Sequence, residues 1–366
     1  MKIKLSRELL LPVLQAANNV VERRQTLPIL SNLLFHFEGS ALQVTATDME
    51  VELACELDAN PGTDGDLALP ARKLFDICRA LPSEAELLIE GSGAKTKISS
   101  GRSRFSLVSM KADEFPSIGS FDASVDFEME TDLLRDLLES THFAMAHQDV
   151  RYYLNGLLLE LDNHRIRAVA TDGHRLALTD KVINLELDAP KQFILPRKGV
   201  LEINRLLNVA GESVKVSIGE NHMRVDCGSQ SLTTKLIDGR FPDYERVIPR
   251  ESDHAILADR EVLKSGLSRA SILSNEKFRG IRLILKEGLL TAVAHNPEQE
   301  EAEEEIEIDY SGSSMEVGFN VSYLLDVLGV MRSDVVRIDL VDANSSCLIR
   351  VPDEEGSRYV VMPMRL

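Results

Sequence analysis

The sequence predicts an α+β protein of three similar modules in series, each pairing two helices with antiparallel strands. Three observations carry this. One segment recurs: "VTATDMEVEL" from Val44, "RAVATDGHRLAL" from Arg167 and "TAVAHNPEQEE" from Thr291 align on Asp48, Asp172 and Asn296, which stand 124 residues apart in succession. An amphipathic helix precedes each copy, and a second follows it. The period far exceeds solenoid lengths, so the copies are domains rather than thin repeats. Expected boundaries are 1–121, 122–245 and 246–366, a common domain size.

The opening helices are "SRELLLPVLQAANNV" behind Ser6, "TDLLRDLLESTHFAMA" behind Thr131 and "DREVLKSGLSRASIL" behind Asp259. Ser, Thr and Asp are residue types that cap helix N-termini, and Pro12 weakens the first assignment. The second helices are "ARKLFDICRALP" from Ala71, "PRKGVLEINRLLN" from Pro196 and "NVSYLLDVLGVM" from Asn320. In the first of these, Leu74, Phe75, Cys78 and Leu81 form one stripe, with Arg72, Asp76 and Arg79 facing away. Linkers are expected near Gly119–Ser124 and Arg246–Asp253.

The stretch "NPEQEEAEEEIEID", 296–309, holds eight carboxylates and no basic residue. Composition alone reads as a solvated acidic segment. Its end alternates, however: Ile306, Ile308 and Tyr310 point one way and Glu305, Glu307 and Asp309 the other, the period of a half-buried strand. In module one, "GSGAKTKISSGRSRFSLVSMKA" from Gly91 carries Lys95, Lys97, Arg102, Arg104 and Lys111 without one acid. A basic rim on one module and an acidic rim on another predict a head-to-tail contact between copies. Rim ion pairs contribute little individually, so the contact needs an apolar centre. Phe105 and Leu107, with Ile272 and Leu273 of "RASILSNEKFRG", are candidates, with ordinary core as the competing reading.

Of the 366 residues, 44% are hydrophobic and 27% charged, which excludes disorder as a whole-chain reading. A net charge of −18 argues, taken globally, against non-specific nucleic-acid binding. Cys55, Cys78, Cys227 and Cys347 are far apart and read as core thiols in a reducing compartment. Arg7 and Glu8 interrupt the signal-like start "MKIKLSRELLLPVLQAA", and no apolar stretch is long enough to span a bilayer. A cytoplasmic protein is expected.

Geometry narrows what three modules in series build. A module of this size approximates a sphere about 35 Å across; three closed on themselves leave a hole of about 5 Å, and six leave roughly 35 Å. A duplex about 20 Å wide passes only through the six-module ring, a dimer of this chain.

At this point "HQDVRYYLNG", "ATDGHRLA", "DGRFPDYERV", "ILSNEKFRG", "HNPEQEEAEE" and the terminal "YVVMPMRL" resemble the bacterial sliding clamps, the beta subunits of DNA polymerase III, along the whole chain. The resemblance implies the DNA clamp fold: a homodimeric ring with helices lining the hole and sheets outside. Such a ring slides on double-stranded DNA without sequence specificity. It tethers the DNA polymerase III alpha subunit, and the clamp loader, other polymerases and repair proteins dock through short linear peptides. The resemblance also implies that Lys73, Arg102, Arg104, Phe105 and Leu107 face Ile272, Leu273, Glu298, Glu300, Glu301, Glu303 and Glu304 across the dimer contact. Residues near DNA map to Arg24, Arg72, Gln148, Tyr152 and Tyr153.

A sliding ring holds phosphates loosely through scattered cations, because dense neutralisation would release many counterions and stall it. Arg24, Arg72, Arg197, Lys198 and Arg205 fit such a wall, and solvated surface is the alternative reading. An acidic exterior repels stray DNA. Where the three repeats diverge, only module two reads "TDGHRL", with His174 and Arg175 offering donors beside Leu176. In the family this segment forms a peptide-binding cleft with module three. Mapped by motif, the cleft is Leu154, Thr171, Gly173, His174, Arg175, Leu176, Pro242, Arg246, Val247, Asn320, Tyr323, Val360, Met362, Pro363, Met364 and Arg365. Flexible methionines suit a surface accepting several peptides, although Met362 and Met364 taken alone read as core.

Enzymatic readings are weaker. Asp172 and His174 lack a nucleophile, and no GxSxG occurs. "GSGAKT" has Ala94 where a phosphate loop needs glycine, and His142 and His147 are five apart, on different helix faces. No catalytic residue, metal or cofactor is expected. The competing non-enzymatic reading is an open scaffold of three modules that binds protein without encircling DNA.

Overall fold

The computed structural model describes residues 1–21, 27–252 and 255–365. The chain packs as two compact units: Met1–Leu134 with Lys198–Ile237, and Arg135–Arg197 with Asp238–Leu366. Each holds one outer repeat and part of the central one.

In the first unit, helix α1 (Arg7–Val20) starts where the Ser6 side chain accepts from the Leu9 amide, and it runs through Pro12. That proline forfeits one backbone bond. The buried stripe of Leu10, Val13, Leu14, Ala17 and Val20 offsets the loss. Helix α2 (Ala71–Ala80) buries Leu74 and Cys78; Phe75 is half-buried beneath the Arg79 guanidinium. A five-stranded antiparallel sheet ends in the edge strand Ser103–Val108, paired on one side only, to Lys95–Ser100. An eight-stranded sheet joins two repeats: Gln230–Lys235 of the central one hydrogen-bonds to Val51–Asp58 of the first.

Helix α3 (Thr131–Glu139) corrects one expectation. The pattern predicts a helix through Ala146, but Ser140 and Thr141 turn their hydroxyls back onto the carbonyls of Asp136 and Leu137, at 2.6 and 2.8 Å. Such local bonds compete with helix propagation. A short 3-10 turn, His142–Ala144, follows. Thr131 is itself helical, and its hydroxyl donates to Gly211 O rather than capping from outside.

Helix α4 (Arg197–Leu207) buries Val200, Ile203, Leu206 and Leu207. In the second unit, Asp259 caps helix α5 (Arg260–Ala270), and Asn320 caps helix α6 (Val321–Val330). A second eight-stranded sheet repeats the junction of the first unit, with Arg175–Val182 paired to Ser357–Val361. A four-stranded sheet ends in Glu301–Glu307, so the acidic run is an edge strand. Ile306, Ile308 and Tyr310 are buried and Glu305, Glu307 and Asp309 exposed, as their alternation predicts. Gly266 lets α5 lie against this strand: a Cβ there would sit 2.6 Å from Ile306 Cδ1. The four cysteines are buried and free.

Candidate functional site

The aligned repeats fold into one turn, used twice with different outcomes. Thr47 Oγ1 donates to Val51 O and accepts from the Met49 amide. Thr171 Oγ1 does the same with Arg175 O and the Gly173 amide. Asp48 Oδ1 accepts from the Glu50 and Val51 amides, and Asp172 Oδ1 from those of His174 and Arg175, at 2.7–3.0 Å. The residue after the aspartate has positive φ in both, 76° at Met49 and 90° at Gly173. Glycine takes this conformation without the cost a side chain pays. A Cβ at Gly173 would also meet the Arg151 guanidinium at 3.1 Å.

The spare carboxylate oxygen distinguishes the two turns. Asp48 Oδ2 binds the Lys198 ammonium of α4, which also donates to Val20 O. Asp172 Oδ2 instead binds Arg175 Nε at 3.1 Å. The Arg175 guanidinium reaches Phe143 O at 2.6 Å and Asp326 of α6, and lies 4.5 Å from the centre of the Tyr323 ring. Arg175 is therefore not the free donor the motif suggests; its side chain, 12% exposed, ties the turn to α6. His174 beside it is exposed. Asp172, with both oxygens engaged in the turn, is no general base.

The C-terminal residues lie across this turn. The Met362 amide donates to His174 O and the Met364 amide to Gly318 O, both at 2.9 Å. Leu154, Leu176 and Val360 are buried beneath them. Val247 and Met362 are 42% and 36% exposed, so Met362 is not the core residue its type suggests. Pro242, Arg246 and Arg365 are exposed; Thr171, Asn320, Tyr323, Pro363 and Met364 are half-buried. All the mapped cleft residues thus fall in one unit, around one end of the strands Arg175–Val182 and Ser357–Val361.

Residues that the sequence reading missed hold the neighbouring loop. Arg151 grips Asp149 with two bonds, 3.0 and 2.8 Å, and this holds the Asp149 carboxyl down to about 2. Beyond it Tyr152, 57% exposed, meets Tyr153 edge-on at 5.7 Å, and Gln148 takes φ 58°. The i, i+2 acid–base spacing of Asp149 and Arg151 was a readable signal.

The cations assigned to a phosphate-facing wall differ in availability. Arg24 lies outside the described residues. Arg72 is exposed, 4.0 Å from Asp76. Arg205, half-exposed, pairs with Glu202. Arg197 is half-buried and donates to Met145 O, and Lys198 is neutralised by Asp48, which corrects their reading as loose surface charges.

On the basic edge, Lys73, Arg102 and Arg104 are exposed, Phe105 is half-buried, and Leu107 is buried within its own chain. Leu107 therefore belongs to the core. On the acidic side Ile272 is 75% exposed and Leu273 half-buried. Glu298, Glu300, Glu301 and Glu303 are exposed. Glu304 is corrected: it shares the inward face of Ile306 and takes two bonds from Arg269 of α5, at 2.8 and 2.9 Å. Those bonds hold its carboxyl below the ordinary glutamate value.

Three family descriptions match in succession: DNA polymerase III beta subunit, N-terminal domain over residues 1–119, central domain over 128–243 and C-terminal domain over 245–365. The "Beta sliding clamp" of Pseudomonas putida is 51% identical over all of both chains. The chain belongs to the beta sliding clamp family. The Escherichia coli (strain K12) relative is 46% identical over all of both chains. Among solved structures, the DNA polymerase sliding clamp from Pseudomonas aeruginosa with ligand gives a TM-score of 0.95 at 48% identity, covering both chains fully. That from Caulobacter crescentus gives 0.93 at 38%, also over both chains. The chain is thus a DNA sliding clamp, a non-catalytic processivity subunit acting as a homodimeric ring, and not an open protein-binding scaffold. Among the described residues no helix is long and apolar enough to cross a membrane.

Proposed function

We propose that two copies of this chain close head to tail by setting the basic edge strand Ser103–Val108 of one against the acidic edge strand Glu301–Glu307 of the other. The observation that carries it is that both strands are paired on one side only. An unpaired edge is a template for a second chain, and opposite charges select the partner and register. Arg102, Arg104 and Lys73 answer Glu298, Glu300, Glu301 and Glu303 at the rim, and Ile272 and Leu273 meet Phe105 at the centre. Burying Ile272 alone contributes about 2 kcal/mol, more than one exposed ion pair.

Within the ring, Arg72, Arg205, Gln148, Tyr152 and Tyr153 face the duplex, with Arg197 and Lys198 holding the wall in place. The cleft around Leu176, Val247, Val360 and Met362 takes partner peptides. Only this turn carries Gly173 and His174; its counterpart carries Met49 and Glu50, with Lys198 tied across it. The modules are 1–121, 122–245 and 246–366, and the protein works in the cytoplasm. Retention on circular and linearised DNA after loading by a clamp loader tests the reading. Persistence on the circle at high salt with escape from free ends is expected; equal, salt-scaled loss from both would overturn it.

A further inference from the structure

The strands that carry the cleft carry a second feature at their other end, which neither the fold nor the proposed function uses. Three arginines stand directly opposite one another on adjacent strands: Arg337 pairs in register with Arg350, and Arg350 with Arg358. Like charges directly opposite are destabilising, so each needs a counter-charge. Arg337 and Arg350 have theirs in Asp339, which is fully buried, and in Glu251. Arg358 does not. Its nearest carboxylate, Asp180 at 3.6 Å, is already held in two bonds by Arg167, and its Nε is buried without a hydrogen-bond partner.

Arg358 lines a groove of about 700 Å³, with Arg165, Lys181, Arg250 and Arg350 among its walls. Arg250 is exposed and makes no hydrogen bond or ion pair among the described residues. Val182, Ile248, Pro249 and Leu348 supply apolar wall, and four acids also line the groove: the half-buried Asp180 and the exposed Glu251, Glu354 and Glu355. These acids disfavour a long polyanion such as duplex DNA, while Arg250 and Arg358 beside the apolar wall suit a carboxylate or two on an apolar backbone. Guanidinium groups match carboxylates in geometry as well as charge.

Groove and cleft lie on the same two strands, with the fully buried Leu178 between them. Arg175–Val182 runs from Leu176 in the cleft to Asp180 in the groove, and Ser357–Val361 runs back from Arg358 to Val360. Leu176, Leu178 and Asp180 share a face by strand alternation, as do Arg358 and Val360. The segment 242–250 flanks both. Leu176 and Asp180 are four residues apart, roughly 13 Å along the strand.

We propose that this groove is an acid-reading extension of the peptide cleft: a partner peptide whose apolar anchor sits over Leu176 and Val360 places acidic side chains, about four residues from the anchor, against Arg250 and Arg358. The proposal rests on the cleft reading. Fluorescent decapeptides with a leucine pair, and Glu-Glu or Ser-Ser four residues before or after it, test it by anisotropy on the dimer. The expected result is that one Glu-Glu peptide binds the unsubstituted protein roughly fivefold to tenfold tighter than its Ser-Ser twin. In Arg250→Gln/Arg358→Gln, checked for an unchanged melting temperature, that preference disappears while the Ser-Ser affinity stays. A preference that survives the double substitution, or is absent from the unsubstituted protein, overturns the proposal. Val247→Glu separates the two readings. Ser-Ser binding that is insensitive to it counts against the cleft alone, whereas charge preference that is insensitive to the arginine substitutions counts against the groove alone.

Discussion

Arg167, 5% exposed, is held by both oxygens of Asp180 and by the Tyr244 hydroxyl at 3.0 Å, and Tyr244 donates in turn to Glu160 at 2.5 Å. Burial and the Glu160 carboxylate push the Tyr244 phenol up to about 12. Burial alone pushes the Cys347 thiol up to about 12 as well. Both are acids whose folded pKa exceeds the unfolded value, so the unfolded chain loses these protons first. Their contribution is complete below about pH 8 and falls as pH rises from there towards 12. Cys347 alone costs about 2 kcal/mol at pH 10.5. Urea midpoints should therefore decline between pH 8.5 and 10.5, less steeply in Cys347→Ala, and a flat profile would contradict this burial. Residue identity was readable here only in part. Sequence spacing marked the cysteines as core, but nothing in it showed that Arg167 and Tyr244, 77 positions apart, share a network.

At the scale of elements, periodicity read well wherever burial has one face. The six expected helices begin where their patterns place them, and so does the acidic strand. The failures have local causes. Helix α3 stops early because two hydroxyls take its last carbonyls. Glu304 was mapped to the dimer contact by the resemblance, although its distance of two from Ile306 already put it on the inward face. Arg175 looked free because a one-dimensional pattern does not show Asp326 and Tyr323 of α6 closing over it. The terminal strap makes an element-scale prediction. Removing residues 362–366 deletes the amide bonds to His174 O and Gly318 O but touches neither edge strand. Peptide binding should fall below detection while sedimentation still reports a dimer; a monomer would count against the cleft assignment.

For the molecule as a whole, the net charge of −18 conceals a division of labour between one basic and one acidic edge. Reversing one side tests it. Arg104→Glu should raise the dimer dissociation constant roughly tenfold or more, since repulsion replaces attraction. Glu303→Arg in the same chain should recover much of that loss, and sedimentation equilibrium at low and high salt reads both. Independent, additive losses would place the two residues on separate surfaces. The threefold repeat and the opposed charges were legible from residues alone, because period and charge are properties of the chain. Which cations are free was not, since Lys198 and Arg197 are engaged by Asp48 and Met145 O, groups remote in sequence.

The two interrepeat ladders bear on how the chain comes apart. Gln230–Lys235 is completed by Val51–Asp58, and Arg175–Val182 by Ser357–Val361. Excised at residues 121 and 245, the middle third would carry two bare ribbons of amide and carbonyl groups, one for each lost neighbour. Such a fragment should polymerise or precipitate rather than persist as a monodisperse species, and limited proteolysis of the intact chain should not release it as a stable band. The repeat is thus the unit of duplication without being the unit of stability.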